Sequence, residues 1–109
     1  NQYLTVKANM MIVDEFIAYS KGLGSKFKDD FEQKAIQALK DAEQIILENK
    51  NNPRYFEFFI PTAYYYTELF KNKDKAREYV ELFESKRISV EQYAQWQRFY
   101  YDSVLKALK

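Results

Sequence analysis

Residues 53–71, PRYFEFFIPTAYYYTELFK, carry Phe or Tyr at eight of nineteen positions. Projected at about 100° per residue, the charged side chains Arg54, Glu57, Glu68 and Lys71 fall on one strip of a helix, and Tyr64 shares that strip. Tyr55, Phe56, Phe58, Phe59, Ile60, Ala63, Tyr65, Tyr66, Leu69 and Phe70 cover nearly all of the remaining circumference. One neighbour cannot cover an apolar surface that wide, so the segment reads as a hub helix packed on several sides. Asn52 stands where a cap belongs, and Pro53 suits a first helical turn. Pro61 removes one backbone hydrogen bond and crowds the preceding turn, so a bend near Ile60 is expected, rather than two separate helices.

Working upstream, residues 2–22 read as a first helix that stops at Gly22-Leu23-Gly24-Ser25, where glycine can take the left-handed terminal position. It has two apolar faces. Val6, Met10, Val13 and Ile17 form one, and Leu4, Ala8, Met11, Ile12, Ala18 and Tyr19 form the other, with Lys7, Asp14 and Lys21 between them at heptad spacing. Such a helix is expected to sit between neighbours. Glu15 projects from the second face, either as a buried carboxylate with a raised pKa or as a side chain that reaches solvent or a polar partner. Ser25 can cap a second helix over residues 26–50, with Asp29 and Asp30 where negative charge suits the helix dipole. Its core stripe is Phe27, Phe31, Ala35, Ala38, Leu39, Ala42, Ile45 and Ile46. The three alanines would allow a neighbouring helix to approach closely, and the aromatic hub is the expected one.

Downstream, residues 71–73 make a short turn, which favours antiparallel neighbours. A fourth helix follows over 74–86, with Ala76, Tyr79, Val80 and Phe83 on one side. Ser89-Val90-Glu91-Gln92 has the capping-box pattern, with Ile88 and Tyr93 placed for the accompanying hydrophobic staple. The fifth helix, 90–108, spreads Tyr93, Trp96, Tyr100, Tyr101, Val104, Leu105 and Leu108 over a broad arc. Phe99 falls outside the arc and is a candidate exposed anchor or the contact with a neighbouring module.

The two helices between about residues 53 and 86 resemble a tetratricopeptide-type hairpin. The resemblance rests on Ala63-Tyr64-Tyr65-Tyr66 in the first helix, the turn Lys71-Asn72-Lys73-Asp74-Lys75-Ala76, and Tyr79-Val80 and Phe83 in the second. Ala76 stands where that family has a small residue near the start of its second helix. This chain lacks the glycine found near the end of the first helix, and Pro61 interrupts that helix. What the resemblance implies is a superhelical, protein-binding module.

Composition narrows the function classes. With 109 residues, the chain can bury a core without metal or disulfide support. Zero Cys and zero His remove thiolate chemistry, disulfides, the usual zinc ligands and the commonest general base. Absence of Cys leaves the compartment open, with a lean to the cytoplasm. The net charge of +1 comes from interleaved signs, with no basic stripe of the kind duplex nucleic acid requires. Stacking of single strands on tyrosine beside Lys73, Lys75, Arg77, Lys86 and Arg87 is opposed by Glu78, Glu81 and Glu84. No apolar run approaches the roughly 20 residues that span a bilayer. Neighbouring acids such as Asp14-Glu15 and Asp29-Asp30 point about 100° apart on a helix, so they do not converge on one substrate atom. The two glycines, Gly22 and Gly24, are not followed by a phosphate-loop Gly-Lys-Ser.

The expected architecture is all-α, a single domain over residues 1–109 that is a fragment of a longer chain. About five helices would form antiparallel hairpins, as a bundle or a short tetratricopeptide-like superhelix. The expected function is a noncatalytic protein or peptide interaction module without cofactor or metal, its partner a protein, a peptide or another domain of the same chain. Tyr64, Tyr65, Tyr66, Trp96, Phe99 and Tyr100 are the candidate partner surface, because Tyr and Trp are enriched at binding hot spots. The alternative is a small-molecule sensor or carrier with an aromatic pocket near Pro61. Homodimerisation through the fifth helix is left open.

Overall fold

A computed structural model describes residues 1–22, 28–89, 91 and 95–109, leaving aside the side chains of residues 22, 28, 29, 95 and 96. The described chain is all-α: α1 (Gln2–Gly22), α2 (Lys28–Glu48), a 3₁₀ segment (Pro53–Phe58), α3 (Phe59–Glu68), α4 (Lys73–Ser85) and α5 (Gln95–Ala107). It forms two compact units, Asn1–Asn49 and Lys50–Lys109. The Ser25 cap, and Val90 and Gln92 of the capping box, lie outside the described residues. So does Tyr93 of the hydrophobic staple.

The first unit is the hairpin of α1 and α2. Asn1 caps α1, its side-chain oxygen accepting from the Tyr3 N–H at 2.9 Å. Val6, Met10, Val13 and Ile17 are buried at intervals of four, three and four, the signature of one helix face, and Phe16 is buried beside Ile17. On α2 the buried positions are Ala35, Ala38, Leu39, Ala42 and Ile46. Within this unit α2 packs on α1. Near the link, the Phe31 ring meets Phe16 at 5.4 Å and Tyr19 at 5.6 Å between centroids, good separations for tilted and edge-on rings. The second face of α1 differs from expectation: Leu4, Ala8, Met11, Ile12 and Ala18 are all exposed. Glu15 on that face is exposed too, which excludes the buried-carboxylate reading.

The second unit is built around the hub. Asn52 accepts from the Arg54 N–H at 3.1 Å, and Pro53 opens the 3₁₀ segment. The helix type changes at Phe58 and Phe59, so the hub consists of a 3₁₀ segment followed directly by α3, where a bend within one helix was expected. Pro61 thereby sits in the first turn of α3, where the N–H it lacks has no intrahelical acceptor to lose. Phe59, Ile60, Pro61, Thr62, Ala63, Tyr64 and Tyr65 are buried in succession, as a helix covered on more than one side must be. α3 packs on both α4 and α5. Thr62 is fully buried and donates its hydroxyl to the Phe58 carbonyl at 2.7 Å, so this core hydroxyl is satisfied by its own helix.

Lys71 turns the chain with φ 53°, and the Asn72 N–H donates to the Tyr66 carbonyl at 2.9 Å. Asn72 then caps α4 by accepting from the Lys75 N–H at 3.0 Å. Ala76, Tyr79, Val80 and Phe83 are all buried, as their spacing requires. Across the unit, Arg77 at the start of α4 donates through Nη2 to the Leu108 carbonyl just past α5, at 3.2 Å.

Candidate interaction surface

Aromatic rings in the second unit form chains that run from the core to the surface. Tyr65 is buried and meets Tyr64 edge-on at 6.1 Å; Tyr64 meets Tyr100 of α5 at 4.8 Å; Tyr100 meets Phe99 at 6.0 Å. Exposure rises along this path, from 1% at Tyr65 and 7% at Tyr64, through half-buried Tyr100, to 62% at Phe99. A second chain runs from buried Tyr79 to half-buried Tyr66 at 6.1 Å and on to exposed Phe70 at 5.2 Å. Lys75 Nζ lies 5.9 Å from the Tyr66 ring centroid, a cation–π distance.

The candidate residues are thus divided. Phe99 is exposed, as its position off the α5 arc implies, with Tyr100 and Tyr66 half-buried. The surface role expected of Tyr64 and Tyr65 is corrected, since both are core residues. The physical reason lies upstream of them. Six residues wound at about three per turn, rather than 3.6, shift the helical phase by about 120°. A single 100° projection therefore puts Tyr64 on the strip of Arg54 and Glu57, while α5 lays Tyr100 over it. The Trp96 side chain lies outside the described residues. Gln97, which sequence reasoning missed, is buried at 7% exposure; it stands seven residues before fully buried Val104, and that heptad interval was the available signal.

Polar groups around these rings are held by both local and sequence-distant partners. The Tyr101 ring packs on Phe83 at 5.7 Å, and its hydroxyl donates to Glu84 Oε1 at 3.4 Å. Burial foremost, and then the Glu84 charge, push the Tyr101 phenol above its ordinary value of 10.0. Ahead of α5, the Ser89 hydroxyl donates to the Glu91 carboxylate and accepts from the Glu91 N–H at 3.3 Å. That hydroxyl, followed by Glu91's own backbone N–H, holds the carboxyl below its ordinary 4.5. Lys86 Nζ lies 5.1 Å from the Phe56 centroid while donating to Asn51 Oδ1 at 3.0 Å, which ties the end of α4 to the start of the hub.

Among the described residues no helix is long and apolar enough to cross a membrane. Comparison with protein-family models, curated proteins and solved structures finds no match to this chain.

Proposed function

We propose that this chain is a noncatalytic helical module that binds a protein or peptide through an aromatic anchor on α5. The observation that carries this reading is Phe99, 62% exposed, seated on Tyr100, which in turn leans on buried Tyr64. Binding orders side chains at a cost, and a ring already braced by the core has less freedom left to lose. Arg98 and Asp102 are exposed beside it, so the apolar anchor has a polar rim carrying both charges. The resemblance of residues 53–86 to a tetratricopeptide-type hairpin is the second support for a protein-binding role, and Ala76, one of the residues it rests on, is fully buried.

The test is selection of amphipathic peptides from a display library against the intact chain. Selected peptides should bind Phe99→Ala about tenfold more weakly or worse, the loss typical of an interface anchor, with helix content unchanged. Peptides that hold Phe99→Ala as tightly as the parent would overturn the reading.

A further inference from the structure

The apolar face that α1 leaves open has a heptad register. With Ala8, Glu15 and Gly22 at a, the positions at d are Leu4, Met11 and Ala18. One edge of this stripe carries Lys7, Asp14 and Lys21, and the other carries Thr5, Ile12 and Tyr19. Leu4 and Met11 are 58% and 62% exposed, although Val6 and Val13, on the opposite side of the same helix, are fully buried. A face built at seven-residue spacing suits another helix with the same spacing.

We infer that this face of α1 docks against the same face of a second copy of the chain, antiparallel. The edge charges select the arrangement. Antiparallel pairing sets each a position beside a d position of the second copy and brings the Lys7, Asp14 and Lys21 edges together. With the two-fold axis level with the gap between Asn9 and Met10, Ala8 lies beside Met11 of the second copy, and Lys7 stands opposite Asp14 twice over. Sliding one heptad to centre on Val13 sets Asp14 against Asp14 and Lys7 against Lys21, all like charges. Parallel pairing sets Glu15 against Glu15 inside the stripe and offers Asp14 only Tyr19. A further slide, to centre between Phe16 and Ile17, sets Asp14 against Lys21 twice but carries Leu4 and Ala8 past the end of the second copy's α1. The first register pairs opposite charges while keeping both Leu4 and Met11 in the contact, and it leaves Glu15 in an outer layer within a turn of Lys7 of the second copy.

This docking uses α1 and is independent of the Phe99 surface, so each can fail without the other. The experiment is sedimentation equilibrium of the intact chain at concentrations up to about 1 mM, a range that reaches weak association. A reversible dimer is expected. Lys7→Glu or Asp14→Lys alone should weaken it about tenfold, because two pairs turn repulsive at once, and the double swap should restore it to within about threefold. Phe99→Ala should leave it unchanged. Because the chain has no cysteine, Ala8→Cys with Met11→Cys should give a covalent dimer under mild oxidation, whereas a Glu15→Cys single variant should not. A chain that stays monomeric throughout, a dimer indifferent to the single swaps, or a double swap that fails to restore it would each overturn the inference.

Discussion

Lys71 offers the sharpest test of how the hub is terminated. Its φ of 53° lies in the left-handed region, where a side chain bearing Cβ costs about 1–2 kcal/mol relative to the right-handed one. Lys71 itself is exposed, so its replacement sacrifices little packing. Lys71→Gly removes the steric cost but adds about 0.5–1 kcal/mol of backbone entropy lost on folding. The net expectation is a gain of about 0.5–1 kcal/mol. For a unit of this size, that should raise the midpoint of the transition that unfolds Lys50–Lys109 by about 3–6 °C. Lys71→Ala keeps the Cβ and should change little, whereas Lys71→Pro, which fixes φ near −65°, should cost about 3 kcal/mol or more. Thermal and urea melts followed by circular dichroism measure all three. If Lys71→Gly proved no more stable than Lys71→Ala, the left-handed turn would not be what limits this junction. Arg87, exposed with φ 56° beyond α4, should respond to glycine in the same way.

Two further outcomes separate core from surface and folded from unfolded. Phe59 has no exposed surface, so Phe59→Ala should cost about 3–5 kcal/mol, whereas Phe99→Ala should stay within about 0.5 kcal/mol in the same melt; equal losses would contradict the burial pattern. The raised Tyr101 phenol gives a pH dependence whose sign is set by linkage. The unfolded chain releases this proton first, so the stability Tyr101 contributes is present below about pH 10 and declines as pH rises from there toward the folded value. Tyr101→Phe should shallow the alkaline loss of stability and remove a late-titrating phenol from the ultraviolet titration. An unchanged titration curve would show that Tyr101 is not held by burial and Glu84.

The helices were legible because residue spacing is local information. Val6, Met10, Val13 and Ile17, and then Ala76, Tyr79, Val80 and Phe83, stand at helical intervals, and every one of them is buried. The hub was legible as a hub for the same reason, since no single neighbour could cover its aromatic circumference. What the spacing does not contain is which helix covers which face. The alanines of α2 announce a close neighbour without naming α1, and the second apolar face of α1 reads the same whether it is covered or open. Tyr64 was misplaced because a 100° projection assumes one helix type, whereas Pro53–Phe58 winds more tightly. Phe99 was placed correctly by its departure from the arc of its own helix.

The chain's abundance of phenols divides into two uses by depth. A buried Tyr must find a partner for its hydroxyl, which makes it a poor choice for packing alone, yet Tyr55, Tyr64, Tyr65 and Tyr79 are all buried. No buried side-chain nitrogen or oxygen among the described residues lacks a hydrogen bond, so the core tyrosines are satisfied. Ring-on-ring contact is also more directional than aliphatic packing, because tilted and edge-on arrangements are preferred. The path Tyr65–Tyr64–Tyr100–Phe99 therefore links the orientation of a surface ring to the packing of α3 on α5. An anchor mounted on leucines could rock; one mounted on two tyrosines is held at a preferred tilt. The side chains that make the core stiff thus also aim the one that leaves it.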